Sequence, residues 1–188
     1  MRISSTNYGY ERGLRVKVTT DAASEPVTKT EFKDYAAIDY SDDDNLIDDL
    51  IVAARKMVED YIQRKIGSQT LTAHWTSYPK FLRLPYAPIN SVTTVKTIDS
   101  EGTKTTLVNA TDYFVKGDDD KYIEFGSYGN YGLEVIYTAG YTTVPKALKS
   151  AILRVVANLY EHRGDDSESF QLDTLTKQLA KPYKVMSI

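Results

Sequence analysis

The sequence contains two histidines, and neither lies in a pattern that supports catalysis or metal binding. His74 and His162 fall in different structural contexts, and Glu161 beside His162 does not have the spacing that a zinc site requires. The nucleophile motif G-x-S-x-G is also absent. We therefore predict no catalytic residues and no metal ligands.

Two aspartate runs, Asp42-Asp43-Asp44 and Asp118-Asp119-Asp120, supply oxygen atoms of the kind that calcium prefers. An EF-hand loop needs such ligands at alternating positions, with a glycine at the sixth position and a closing glutamate, and neither run has this order. We interpret the first run as a helix cap, and the second as a solvated turn.

A glycine-rich segment, 126–132, follows a predicted strand. It lacks the G-x-G-x-x-G order and leads into another strand, so no helix N-terminus is available to bind a phosphate. The pattern indicates a hairpin loop that exposes Tyr128 and Tyr131. Such a loop either contacts a partner protein or serves only as a turn.

The composition is that of a globular protein of 188 residues with a net charge of -3 and no cysteine. This charge disfavours general nucleic-acid binding, and the absence of cysteine excludes disulfides and thiolate metal sites. No apolar run approaches the roughly 18 residues that span a bilayer, and the first residues lack the apolar core of an export signal. Fifteen tyrosines are typical of β-rich surfaces or protein interfaces.

Three segments have the spacing of amphipathic helices, near residues 28–38, 42–66 and 144–163. Thr28 and Glu31 form a capping-box pattern at the start of the first, and we expect Gly67 and Gly164 to end the second and third. The polar face predicted for the second helix contains Asp48, Asp49, Lys56, Glu59, Asp60 and Arg64. The apolar stripes of the second and third helices must pack together to be buried.

Between these helices, short runs of Thr, Val, Tyr and Ile separated by turn residues predict β structure. We expect an α+β protein, with a small helical bundle core at 25–67 and 143–164 and an inserted β-rich subdomain at 68–142. Residues 1–24 form an N-terminal arm or an added strand (14–18), and residues 165–188 form a C-terminal tail.

Seven segments of the chain contain strings that together form a recognisable pattern. They are Glu25-Pro26-Val27-Thr28, the acidic run with Leu46-Ile47, Ala53 to Tyr61, Leu84 to Val92, Tyr137-Thr138-Ala139-Gly140-Tyr141 with Val144 to Lys149, Ala157 to Arg163, and Leu179 to Val185. In this order and spacing, the strings resemble the head–tail connector (adaptor, or head-completion) family of long-tailed phages. They cover most of residues 25–188, whereas the first 24 residues depart from the family pattern.

The resemblance implies a structural subunit with no catalysis and no cofactor. In the family such subunits form a ring, twelvefold, which extends the portal channel and receives a stopper or tail protein below. DNA would pass through the channel without specific binding, and no membrane is involved. The protein would be assembled in the host cytoplasm and reside in the virion neck.

The family's C-terminal segment commonly reaches into the portal, and the resemblance transfers this role to residues 171–188. The residues concerned are Leu175, Leu179, Lys181, Pro182, Tyr183 and Lys184. Basic residues and an aromatic anchor at this end agree with a docking role. The alternative is a terminal helix packed on its own domain.

Residues 21–60 contain twelve acidic residues against four basic ones. The run Asp42, Asp43 and Asp44, together with Asp48 and Asp49, is therefore a candidate channel wall that repels DNA, or an interface. The alternative is an ordinary solvated helix face. Two rival functions also remain: another phage neck or tail-completion subunit, and a glycan-binding or hydrolytic module that uses a concave, tyrosine-lined pocket.

Overall fold

The computed structural model describes residues 13–127, 129, 131–163 and 171–185. Within these residues the chain has an α+β fold of four α-helices and two antiparallel sheets, which confirms the predicted class. The chain divides into two compact units. The helical unit comprises the described parts of 24–67 and 142–185, and the β unit comprises the described parts of 1–23 and 68–141.

The helical unit contains α1 (Lys29–Ala36), α2 (Asp44–Ile62), α3 (Lys146–Glu161) and α4 (Thr174–Ala180). A 3₁₀ turn, Lys181–Tyr183, follows α4. Helix α3 packs against each of the other three helices. None of the helices in the described part of the chain is long and apolar enough to cross a membrane.

The apolar stripes of α2 and α3 pack together as expected, although about 80 residues of chain separate them. Five residues of each stripe are buried, and Phe32 of α1 is buried with them. The buried stripe of α2 contains Ile47, Ile51, Ala54, Val58 and Ile62, and that of α3 contains Leu148, Ala151, Ile152, Val155 and Val156.

The start of α1 is the predicted capping box. The Thr28 hydroxyl accepts a hydrogen bond from the Glu31 N–H at 3.1 Å, and the Glu31 carboxylate accepts one from the Thr28 N–H at 2.8 Å. These reciprocal bonds satisfy two backbone donors that a helix N-terminus otherwise leaves unpaired.

The prediction that Gly67 ends α2 is wrong. The helix ends at Ile62, because Gln63 adopts a left-handed conformation with φ of 57°. The Gln63 amide side chain donates to the Asp60 carbonyl at 2.6 Å, and the Ile66 N–H donates to the Glu59 carboxylate at 2.8 Å. Side-chain hydrogen bonds thus stabilise a helix end that lacks glycine.

The β unit has one five-stranded and one three-stranded sheet. In the order β1-β2-β8-β4-β5, the first sheet contains β1 (Arg15–Thr20), β2 (Gln69–Trp75), β8 (Gly132–Ala139), β4 (Ile89–Ile98) and β5 (Lys104–Thr106). In the order β3-β7-β6, the second contains β3 (Phe81–Arg83), β7 (Tyr122–Phe125) and β6 (Tyr113–Lys116). Residues of both sheets form one hydrophobic core.

Two local predictions for the β unit are confirmed. The segment predicted as an arm or added strand forms β1, an edge strand that pairs antiparallel with β2. The Asp99–Gly102 turn connects β4 and β5 as a hairpin, and the Asp99 carboxylate accepts hydrogen bonds from the N–H groups of Glu101 and Thr103. Gly102 has a φ of 86°, a conformation that glycine adopts without strain.

Candidate interaction surfaces

The described residues contain no group of three or more His, Asp or Glu side chains that could hold a metal ion. His74 belongs to the β unit and lies 3.6 Å from Glu134, whereas His162 belongs to the helical unit and contacts the Asn158 carbonyl. Ser77 and Lys80 have S-x-x-K spacing, but they lie outside any helix, so the spacing does not place both side chains on one face.

Several tyrosines of the β unit are structural. Tyr137 is fully buried and its hydroxyl donates to the Pro85 carbonyl at 3.0 Å. Tyr113 is also buried, and Tyr78 packs against Phe125 with ring centroids 4.5 Å apart. These side chains build the hydrophobic core, and a core tyrosine cannot line the concave pocket that a glycan-binding or hydrolytic module needs.

The predicted partner-contact loop is described only in part. Tyr131 is 57% exposed, and Gly129 forms an isolated bridge with Tyr78. Tyr128, the other predicted contact residue, lies outside the described residues.

The acidic run at the start of α2 contributes mainly to side-chain contacts within the helical unit. Asp43 is the N-cap residue of α2, but its side chain makes no capping hydrogen bond. The prediction that this run caps the helix through a side chain is therefore wrong. The Asp43 carboxylate instead accepts a hydrogen bond from the Tyr160 hydroxyl on α3 and lies 3.7 Å from Arg163. The hydrogen bond that the Tyr160 hydroxyl donates to Asp43 raises the pKa of Tyr160 most, and the hydrogen bond with Tyr40 raises it further.

Lysines of α1 pair with Asp44 of this run and with Asp48, one turn further along α2. Lys33 lies 2.9 Å from Asp44, and Lys29 lies 2.9 Å from Asp48 and 3.6 Å from Asp44. The hydrogen bond from Lys33 is the largest contribution that lowers the pKa of Asp44. These pairs connect α1 to α2. Asp42 and Asp49 are exposed, and no ion pair joins them to the described part of the chain.

A buried ionic cluster is the main feature of the helical unit that was not predicted. Arg55 is 1% exposed and donates to both carboxylate oxygens of Glu25, at 2.7 and 3.0 Å. Glu59, which we had placed on the polar face of α2, is only 2% exposed, so that prediction is wrong. Its carboxylate contacts Arg55 at 3.4 Å and Lys65 at 3.1 Å, and it accepts the Ile66 N–H. These partners compensate for the desolvation of its charge.

The C-terminal segment that we predicted as a tail is helical in its described part and packs on its own unit. Thr176 and Ala180 of α4 are buried, and α4 contacts α2 and α3. At the end of the segment, the Val185 N–H donates to the Ile62 carbonyl at 2.9 Å, and the Lys184 ammonium lies 4.3 Å from the centre of the Tyr61 ring. This packing agrees with the alternative interpretation of the tail, a terminal helix packed on its own domain.

Some residues of the predicted docking segment nevertheless remain accessible. Leu175, Lys181, Pro182 and Lys184 are exposed, whereas Leu179 and Tyr183 are partly buried. The packed segment therefore offers an apolar side chain and two lysines to a partner. The docking role of these six residues remains a prediction.

Asp173 joins the start of α4 to α3. Its carboxylate accepts a hydrogen bond from Arg154 at 2.6 Å, and it caps α4 by accepting from the Thr176 N–H at 2.8 Å. Desolvation raises the pKa of Asp173, but the bonds from Arg154 and Thr176 outweigh it and lower that pKa to about 2. At pH values above 3.8, the ordinary pKa of aspartate, the contact therefore stabilises the packing of α4 on α3. This contribution is lost as the pH falls towards 2.

We expect the variant Arg154→Gln to raise the pKa of Asp173 towards 3.8, because it removes the charged donor. Carboxyl chemical shifts followed by NMR during an acid titration would measure this change. Arg163→Gln is the matched control, since Arg163 pairs with Asp43 and should leave the Asp173 titration unchanged. An Asp173 pKa that is the same in the native chain and Arg154→Gln would contradict the assignment.

Comparison with solved structures identifies chains with the same fold. A chain in the neck of an empty GTA particle computed with C6 symmetry has a TM-score of 0.78 and 19% identity, covering 93% of this chain and 97% of that chain. A chain in the virion of a native gene transfer agent (GTA) particle has a TM-score of 0.75 and 19% identity, covering 92% and 96%. A chain in the native GTA neck computed with C12 symmetry has a TM-score of 0.72 and 17% identity, covering 93% and 97%.

At such identities the structural likeness establishes the fold alone. No protein with a curated description matches the chain. A family model described as "Head completion protein" matches residues 25–188, which is most of the sequence and the part in which the family resemblance was found. The first 24 residues lie outside the match, as the resemblance predicted. The chain therefore belongs to the head completion protein family.

Proposed function

We propose that this chain is a structural, non-catalytic subunit of the neck of a phage-like particle. The observation that carries the proposal is the family match over residues 25–188. The fold supports it, because the similar chains come from particles and necks of a gene transfer agent and correspond to this chain over nearly their whole length. Head completion is a step of particle assembly, and its result is a complex of docked proteins and not a chemical product.

The subunits assemble as a ring beneath the portal, with twelve copies as the expected number. The necks that contain the similar chains were computed with C6 and C12 symmetry, and a twelvefold ring is compatible with both. The ring extends the DNA channel below the portal and provides the platform on which the stopper or tail protein docks. It belongs to the virion neck and is assembled in the host cytoplasm.

The packed C-terminal segment is the surface that we assign to portal docking. It presents Leu175, Lys181, Pro182 and Lys184 to solvent, with Leu179 and Tyr183 partly buried beside them. An exposed leucine next to lysines suits a partner groove that has an apolar floor and an acidic rim. Asp173, which caps α4, and the buried Thr176 and Ala180 hold this surface on the helical unit.

The double variant Leu175→Asp and Lys181→Glu tests this assignment. Both side chains are exposed, so we expect the fold to persist while binding to portal-bearing heads falls at least tenfold. Cosedimentation of the purified chain with DNA-filled, tailless heads would measure binding. Gln178→Ala, an exposed position on the same helix, is the matched control and should bind like the native chain. Native binding by the double variant would place portal docking elsewhere on the chain.

A further inference from the structure

One face of the five-stranded sheet is rich in cations. In an antiparallel sheet, residues paired across neighbouring strands point to the same side. The pairing therefore aligns one row of side chains across β1, β2, β8 and β4: Arg15, His74, Glu134 and Lys96. Lys104 of β5 reaches the same row, since its ammonium lies 2.6 Å from the Glu134 carboxylate.

The next row on this face contains Lys17, Thr72, Ile136 and Thr94, so a half-buried isoleucine lies among polar side chains. The face thus has four cationic side chains against one carboxylate. Glu134 is buried and forms ion pairs with Lys104 and Lys96. Arg15 and Lys17 are exposed and have no ion pair to any described residue. On a chain with a net charge of -3, such a face favours an acidic partner.

The helical unit has exposed side chains of the complementary kind. Within residues 34–49, four carboxylates are exposed and have no ion pair to the described residues: Asp34, Asp39, Asp42 and Asp49. Three large apolar or aromatic side chains in the same stretch are also exposed: Tyr35, Tyr40 and Leu46. Exposed tyrosines among charged residues are typical of protein interfaces. We refer to these seven residues as the acidic surface.

We infer that the cationic face of the five-stranded sheet binds the acidic surface of a second copy of this chain. The two surfaces are different and each has exposed charged side chains, so their contact is heterologous. Heterologous contacts between identical subunits form a ring when the rotation between neighbours closes. Opposite charge would fix the register of neighbouring copies and exclude like-to-like pairing. The inference rests on the proposed ring and names the surfaces that close it.

A second copy fits the cationic face better than nucleic acid does. A phosphate backbone needs a broad basic field, whereas this face has a carboxylate at its centre and belongs to an acidic chain. The half-buried isoleucine and the neighbouring threonines instead offer uncharged area on which exposed tyrosines can pack.

Charge reversal tests the contact in the full chain. We expect the double variant Arg15→Glu and Lys17→Glu to reduce the amount of ring assembled on portal-bearing heads at least tenfold. Adding Asp42→Lys and Asp49→Lys to the same chain should restore it, because the charges are exchanged and not removed. Rescue separates a lost contact from a damaged fold. A reversed variant that assembles like the native chain overturns the inference.

Engineered cysteines test proximity directly, because the native chain has no cysteine. An equal mixture of Lys17→Cys and Asp42→Cys chains should form a disulfide-linked dimer when assembled on heads. Each variant alone should not, and Gln178→Cys mixed with Lys17→Cys is the matched control. Absence of the mixed dimer from rings that electron microscopy shows to be complete would contradict the inference.

Two further outcomes would also overturn the inference. If Asp42→Asn and Asp49→Asn change DNA retention but not ring assembly, the acidic surface is a channel wall. If Arg15→Glu and Lys17→Glu abolish salt-dependent binding to duplex DNA but not ring assembly, the cationic face is a nucleic-acid site. In all of these tests the native chain must form rings on heads. Failure of the native chain itself would refute the proposed function and not the choice of surfaces.

Discussion

Replacing Arg55 with methionine should destabilise the helical unit by about 3–5 kcal/mol, because it removes the buried cation that pairs with the Glu25 and Glu59 carboxylates. Arg55 is almost fully buried and contacts both Glu25 and Glu59. Methionine fills a similar volume, so the loss would come from the unpaired charge and not from a cavity. Urea unfolding followed by far-ultraviolet circular dichroism, which reports mainly on the helices, would measure the change.

Lys56→Met is the matched control, since Lys56 is the next residue on the same helix and is exposed. It should change stability by no more than about 0.5 kcal/mol. The double variant Arg55→Met and Glu59→Leu should recover part of the loss, because it also removes the buried Glu59 charge and its desolvation cost, whereas Glu25 and Lys65 still lose these partners. Equal stability of the native chain and Arg55→Met would show that the cluster does not support the fold.

The second large effect is expected at the junction of α2 and α3. Ile152→Ala should cost about 2–5 kcal/mol, because it removes buried methyl groups and leaves a cavity between the helices. Ile152 is fully buried on the apolar stripe of α3. The same unfolding experiment would detect the loss.

Leu46→Ala is the corresponding control on α2, where more than a third of the side chain is already exposed. Its cost should stay below about 1 kcal/mol, since less apolar area returns to water on unfolding. If Ile152→Ala were as mild as Leu46→Ala, the two stripes would not form the core of the helical unit.

The helical frame could be predicted from the sequence because its signals are local. The capping box at Thr28 and the three-to-four spacing of Ile47, Ile51 and Ile152 depend only on neighbouring residues. The end of α2 could not be predicted, because Gln63 takes the left-handed conformation that usually indicates glycine. Its stabilising bonds come from Asp60 and Glu59.

The buried position of Glu59 was missed for a different reason. A glutamate on a helix is usually exposed, and burial becomes favourable only when cations and N–H donors from distant residues converge on it. Arg55 is visible at i−4 spacing, but the Glu25 partner depends on how residues before α1 return to α2. The proximity of Glu25 to Arg55 depends on the tertiary structure and is not encoded in the local sequence.

The same difference between local signals and tertiary contacts applies to the candidate surfaces. Exposure of Leu175 and Lys181 could be anticipated from a polar terminal segment, but the packing of that segment through Asp173 and Arg154 could not. The cationic face requires the strand order, because Arg15 and Lys96 are far apart in the chain and share a row only after β1, β2, β8 and β4 have paired. A sequence pattern does not contain that order.

The most direct test of the proposed function is electron cryomicroscopy of DNA-filled, tailless heads mixed with the purified chain. The proposal predicts a closed ring of this chain, coaxial with the portal and directly below it. The chain staying in the unbound fraction, or density on the heads at any site other than the portal vertex, would contradict it.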